Sequence, residues 1–114
     1  MDISDDGPDL ATTWQESDNN LCGVVRGRLA ASTVAELLVR ASWKSRSSSW
    51  DGYEVETIWC QAEVDPVQGT GILLNGVIDP DKLDVLATLL ARLGTSFSLE
   101  LYDGNGALVR EITT

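Results

Sequence analysis

The sequence predicts one α+β domain, and three observations carry that reading. Two segments have helical apolar spacing with start signals, and several others alternate apolar and polar residues with period two. The length, 114 residues, suits one hydrophobic core and not two. Apolar residues make up 43% and charged residues 23% of the chain, which is ordinary globular usage.

The first twenty residues precede any periodic segment. They hold Asp2, Asp5, Asp6, Asp9, Glu16 and Asp18 with no base, and carry Gly7-Pro8 and Asn19-Asn20 as turn signals. Their composition predicts an acidic, loosely ordered arm over 1–20 ahead of a single domain over 21–114. Trp14 is the reservation, because an indole usually packs on something.

The first strand is read over 21–30, with Leu21, Gly23, Val25, Gly27 and Leu29 on one face and Cys22, Val24, Arg26 and Arg28 on the other. A helix is predicted from the capping box Thr33-Val34-Ala35-Glu36, in which Thr and Glu cap each other's backbone N–H. Its stripe is Val34, Leu37, Leu38 and Ala41, and it should end in the Ser-rich run between Trp43 and Trp50. The second strand is read as one unit over 53–64, with Tyr53, Val55, Thr57 and Trp59 opposed to Ile58, Cys60, Ala62 and Val64. The third is 72–78. A second helix has Asp79 as cap, Pro80 at its first position, a stripe of Leu83, Leu86, Leu89, Leu90 and Leu93, and Gly94 as stop. A strand over 96–102, the turn Asp103-Gly104-Asn105-Gly106 and a last strand over 107–112 complete the chain.

The first six elements read βαββαβ, the ferredoxin-like pattern. Right-handed crossovers then give a sheet order, counting predicted strands along the chain, of 5-4-1-3-2. Both helices should lie on one face of an antiparallel sheet. A more open α+β meander with the same elements is the alternative. With the third strand between them, the first and second strands lie about 9–10 Å apart, at about 4.8 Å per strand step. Cys22 and Cys60 are therefore expected to be unbridged, since a disulfide needs Cα atoms within about 7 Å.

Composition excludes several functions. The net charge of −10 opposes direct binding of nucleic acid or an anionic membrane. The chain has no His, which removes Ser-His-Asp and Cys-His catalysis and His-containing zinc sites. No cofactor, metal site or catalytic group is expected. The acidic opening lacks the basic and apolar regions of a secretory signal, and no long apolar run offers a membrane span, so the expectation is a cytoplasmic protein. Gly69-Thr70-Gly71 reads as a hairpin connector and not a phosphate loop. Asp103-Gly-Asn105-Gly reads as a turn, since Ala107 and Thr114 stand where a calcium loop needs oxygen ligands. Glu54 and Glu56 share a strand face and read as a solvated edge. Cys60 is the only nucleophile worth naming for an enzyme, and no cation or helix terminus beside it would activate it.

What remains is binding. Trp43, Lys44, Arg46, Trp50 and Tyr53 form an aromatic and cationic cluster spaced by serines, the composition of interface hot spots. Trp43 and Trp50 have an alternative role as anchors under the helix end and the next strand. The helix-free sheet face is expected to carry Val24, Arg26, Arg28, Trp59, Asn75, Glu100 and Tyr102. The candidate interface is therefore Trp43, Arg46, Trp50, Tyr53, Trp59, Arg26, Arg28 and Tyr102. The expected function is a small acidic non-catalytic protein-binding domain, in the style of a bacterial immunity protein, antitoxin or inhibitor, with a basic protein as partner. Self-pairing into a homodimer through the open sheet face is the expected assembly, with a pocket reserved for the partner as the alternative. Mimicry of nucleic acid toward a DNA-binding protein is the second reading, and a small enzyme using Cys or carboxylates the third.

Overall fold

A turn that the sequence does not advertise, at Ile58-Trp59, sets the architecture. The computed structural model describes residues 7–48, 50–67 and 71–114. Its elements are α1 (Thr12–Gln15), β1 (Leu21–Arg26), α2 (Ala31–Arg40), β2 (Lys44–Ser47), β3 (Tyr53–Thr57), β4 (Cys60–Pro66), β5 (Gly71–Ile78), a 3₁₀ turn (Pro80–Lys82), α3 (Leu83–Ala91), β6 (Phe97–Tyr102) and β7 (Leu108–Thr113). The strands form one antiparallel sheet of seven in the order β2-β3-β4-β5-β1-β6-β7.

The α+β class is as expected, but the five-stranded order is not. The predicted strand 53–64 is a hairpin, with Thr57 paired to Cys60 across the two-residue turn. The segment predicted to end the first helix forms β2, so the sheet edge lies at 44–47 and not at 53–64. Neither Ile58 nor Trp59 is a turn former; tertiary contacts hold the bend. The Ile58 carbonyl accepts from Ala11 N–H at 2.8 Å, and the Trp59 carbonyl accepts from Asp79 N–H at 2.8 Å. The Trp59 ring meets buried Trp43 edge-to-face, with centroids 5.1 Å apart, an arrangement that aromatic quadrupoles favour.

The turn also shifts the phase of everything after it. Tyr53, Val55 and Thr57 share the helix-covered face with Cys60, Ala62 and Val64, so Glu54 and Glu56 lie with Gln61, Glu63 and Asp65 on the other.

α2 begins at Ala31, before the expected capping box, and no side chain caps it. Its buried residues, Ala31, Val34, Ala35 and Leu38, form a stripe at i, i+3, i+4 and i+7. The early start adds Ala31 to the face buried against the sheet. Ser42 then takes a left-handed φ of 74°. Trp43 N–H reaches back to the Leu38 carbonyl at 3.1 Å, the return bond that terminates many helices. This reversal sends Trp43 into the core and launches β2.

The second helix starts as expected at Asp79, whose carboxylate accepts from Asp81 N–H at 3.0 Å. Its first turn is 3₁₀. Leu83, Leu86, Leu89 and Leu90 are buried, and Gly94 closes it at a φ of 76°. α2 and α3 touch each other and cover the same sheet face. Their stripes meet Leu21, Val25, Ile72, Leu74, Ile78, Phe97, Leu99 and Leu101 in one core.

Residues 7–20 run along the end of the sheet where Ile58-Trp59 lies. Leu10 is buried, and its N–H donates to Glu56 Oε2 at 2.6 Å. Asn20 clasps β5: its amide nitrogen donates to the Ile78 carbonyl at 2.9 Å, and its side-chain oxygen accepts from Ile78 N–H at 2.8 Å. Its own carbonyl accepts from Tyr102 N–H at 2.9 Å, which ties the segment to β6 as well. Asp2, Asp5 and Asp6 of the expected acidic arm lie outside the described residues, as do Gly69 and Thr70 of the connector.

Candidate functional site on the open sheet face

With both long helices on one face, the strand registers determine what the other face presents. One row crosses every strand in direct pairing: Arg46, Glu54, Glu63, Asn75, Cys22, Glu100 and Glu111. Six strand steps of about 4.8 Å make this row roughly 29 Å long. It places Glu54 opposite Glu63 on β3 and β4, and Glu100 opposite Glu111 on β6 and β7. Directly opposed like charges cost up to about 1 kcal/mol per pair. Positions that break a local rule in this way are where functional sites are found.

Between the two carboxylate pairs lies an apolar strip. Val24 pairs with Leu73 on β5, and Val77 follows two residues after Asn75 on the same face. Val24 and Leu73 are half-buried. Asp65 borders the strip beside Leu73.

Cations are few on this face, and two of the three are already committed. Arg46 Nε lies 3.2 Å from Glu54 Oε1, and its Nη2 lies 3.1 Å from Glu56 Oε1. Lys44 is paired to Asp9, whose carboxyl is held below its usual range by the hydrogen bond and charge of that ammonium. Arg26 is exposed at the far end of β1. Glu56 is not the solvated edge group its sequence context suggests. It is buried, and it accepts from Leu10 N–H, Arg46 and, at 3.5 Å, Gln61 Nε2.

The structure divides the sequence-derived interface residues into three places. Trp43, Trp59 and Tyr53 pack into or against the core, so Trp59 is a turn residue and not part of the open face. Arg46, Arg26 and Tyr102 lie on the open face, and the Tyr102 hydroxyl donates to Glu100 Oε1 at 2.9 Å, which pushes the phenol's pKa up. Trp50 is fully exposed in the β2–β3 loop, and Arg28 lies beyond the end of β1. Glu63, Glu100 and Glu111 complete the row; Glu100 lies on this face as expected, whereas the alignment of Glu63 with Glu54 depends on the unannounced turn at Ile58-Trp59.

Both cysteines are free. They lie on opposite faces of the sheet with β5 between their strands. Cys60 is 1% exposed and burial pushes its thiol pKa far up. Cys22 is half-buried, and its pKa is raised by burial and then by the Glu100 charge. Because the thiolate is the reactive species, native protein treated with an aromatic disulfide reagent at pH 8 should release one slow equivalent of thiol, from Cys22. The second should appear only on unfolding. Two fast equivalents would contradict the burial of Cys60. Among the described residues, no group of three or more His, Cys, Asp or Glu is placed to hold a metal ion, and no helix is long and apolar enough to cross a membrane.

Compared with protein-family models, curated proteins and solved structures, the chain matches none.

Proposed function

We propose that the chain is a non-catalytic binding domain that docks a basic protein through its open sheet face, in the manner of an immunity protein, antitoxin or inhibitor. The row of opposed carboxylates flanking the Val24–Leu73 strip carries this reading. An apolar centre with charged flanks is the anatomy of a protein interface. Carboxylates that repel each other in the free protein are relieved when a partner brings cations to them. A net charge of −10 would steer such a partner at long range.

A second copy of the chain fits this face less well, since pairing it with itself would bring carboxylates together and Trp59 contributes nothing to the patch. Nucleic-acid mimicry is also less well supported, because Arg46 interleaves between Glu54 and Glu56 where a phosphate-like array should be continuous. The arrangement β4-β5-β1-β6 with α2 and α3 supports a ferredoxin-like core widened at both edges. The two unbridged thiols suit a reducing compartment such as the cytoplasm.

The test is a double charge reversal, Glu63→Lys with Glu111→Lys, against Glu36→Lys on the exposed side of α2. Removing the opposed pairs should leave the variant as stable as the parent, or more stable by about 0.2–1 kcal/mol per pair. In low-salt capture from the native host, the parent and Glu36→Lys should both retain a stoichiometric basic protein, and the double variant should lose it. Equal capture by all three chains would overturn the proposal.

A further inference from the structure

A cleft of about 680 Å³ opens at the end of the sheet, between residues 14–20 and the β6–β7 turn. Its walls include two aromatic rings, Trp14 and Tyr102, and three carboxylates, Glu16, Asp18 and Asp103. No lysine or arginine lines it. Both rings are half-buried, yet neither belongs to the hydrophobic core or packs against it, and among the described residues no ring contact joins them. Core packing therefore does not explain their positions. They are large, partly apolar side chains lining a concave space bordered by carboxylates.

The walls are held in place. Tyr102 is fixed at its backbone by Asn20 and at its hydroxyl by Glu100. On the opposite wall, Gln15 Nε2 donates to the Leu10 carbonyl at 2.7 Å and Ala11 N–H to the Ile58 carbonyl, which brackets Trp14. Asp103 Oδ1 accepts from Asn105 N–H at 2.9 Å and Ala107 N–H at 3.0 Å, so the turn that carries it is closed upon itself. A site whose walls are fixed in advance loses little ordering entropy when a ligand enters.

We propose that this cleft binds the guanidinium side chain of an arginine presented by a protein partner. Aromatic faces attract cations within about 6 Å of the ring centroid. A planar guanidinium stacks on such faces and also directs its N–H groups at carboxylates, which an ammonium on a flexible stem does less well. The carboxylates exclude anions, and an aliphatic ligand would leave them without counter-charge. The cleft does not depend on the open-face reading, although a basic partner reaching across Tyr102 could engage both.

The experiment is a nuclear magnetic resonance titration of the full chain with acetyl-Gly-Arg-Gly-amide, followed at the tryptophan indole N–H signals and the backbone amides. The citrulline analogue is the uncharged isostere, and the lysine analogue is the competing cation. Trp14 and the amides of residues 102–106 should shift saturably, while the indoles of Trp43, Trp50 and Trp59 stay still. Citrulline should bind at least tenfold more weakly, and lysine several-fold more weakly. Trp14→Ala should remove the response at residues 102–106, and Glu63→Lys with Glu111→Lys should leave it unchanged, so this proposal and the open-face proposal fail separately. Shifts spread evenly over the acidic surface, an unmoved Trp14 indole, or equal responses to the three peptides would overturn it. The titration of the parent chain alone is decisive if a variant fails to fold.

Discussion

Replacing Gly76 by alanine is expected to cost about 3 kcal/mol or more, at the upper end of overpacking penalties. Gly76 is buried in β5, paired with Leu21 on β1 and with Ala62 on β4. A Cβ built there would stand 2.0 Å from the Gln61 carbonyl oxygen and 2.6 Å from the Ala62 Cα. Both are main-chain atoms, so no side chain can rotate away, and the β4–β5 ladder itself must open. Gly76 also offers its carbonyl to Asn20 N–H at 2.9 Å, so a displaced β5 loosens the attachment of residues 7–20. Gly104→Ala is the control. Nothing lies within 4 Å of a Cβ at Gly104, and the change should stay within about 1 kcal/mol of the parent. Urea denaturation followed by tryptophan fluorescence measures both. Equal midpoints for the two variants would show that β4 and β5 do not approach as closely as described.

The same pairing explains how much of this molecule could be read from its residues. α3 was legible because each local signal agreed: Asp79 and Pro80 to start it, five leucines in a stripe and Gly94 to stop it. β1, β5, β6 and the Asp103-Gly104-Asn105-Gly106 turn were legible for the same reason, and so was the separation of the two cysteines. β3 and β4 were not, because Thr57-Ile58-Trp59-Cys60 continues the alternation straight through a reversal that contacts with Ala11, Asp79 and Trp43 hold. β2 was hidden for a related cause. Lys44-Ser-Arg-Ser47 carries no apolar alternation, and it becomes a strand because Ser42 turns the chain and Glu54 and Glu56 receive Arg46. The candidate site inherits this. Each carboxylate is visible in the sequence, but the alignment of Glu54 with Glu63 depends on a hairpin that long-range contacts create.

Glu56→Ala is expected to be the most damaging change to any charged residue among the described residues, at about 2–4 kcal/mol. Its carboxylate has one oxygen on Leu10 N–H and the other on Arg46 and Gln61. Removing it leaves the Leu10 N–H, beside a side chain that is itself buried, with no acceptor. Arg46 loses less, since its guanidinium is half exposed and keeps Glu54, and that exposure sets the expected cost about 1 kcal/mol below the 3–5 kcal/mol typical of a fully buried pair. Glu54→Ala tests the distinction, because Glu54 sits in the same cluster without a backbone N–H to satisfy, and its loss should cost less than about 1 kcal/mol. The site of the damage is also specified. Leu10 and Ala11 hold residues 7–20 against the Ile58-Trp59 turn, so Glu56→Ala should speed amide exchange at residues 10–20 and 57–60 before it affects β1 or β6. Glu56→Gln keeps an acceptor for Leu10 but turns an amide donor toward Arg46, and should fall between the two alanine variants. If Glu56→Ala proved as stable as Glu54→Ala, with exchange at residue 10 unchanged, the N-terminal segment would be held by something other than this carboxylate.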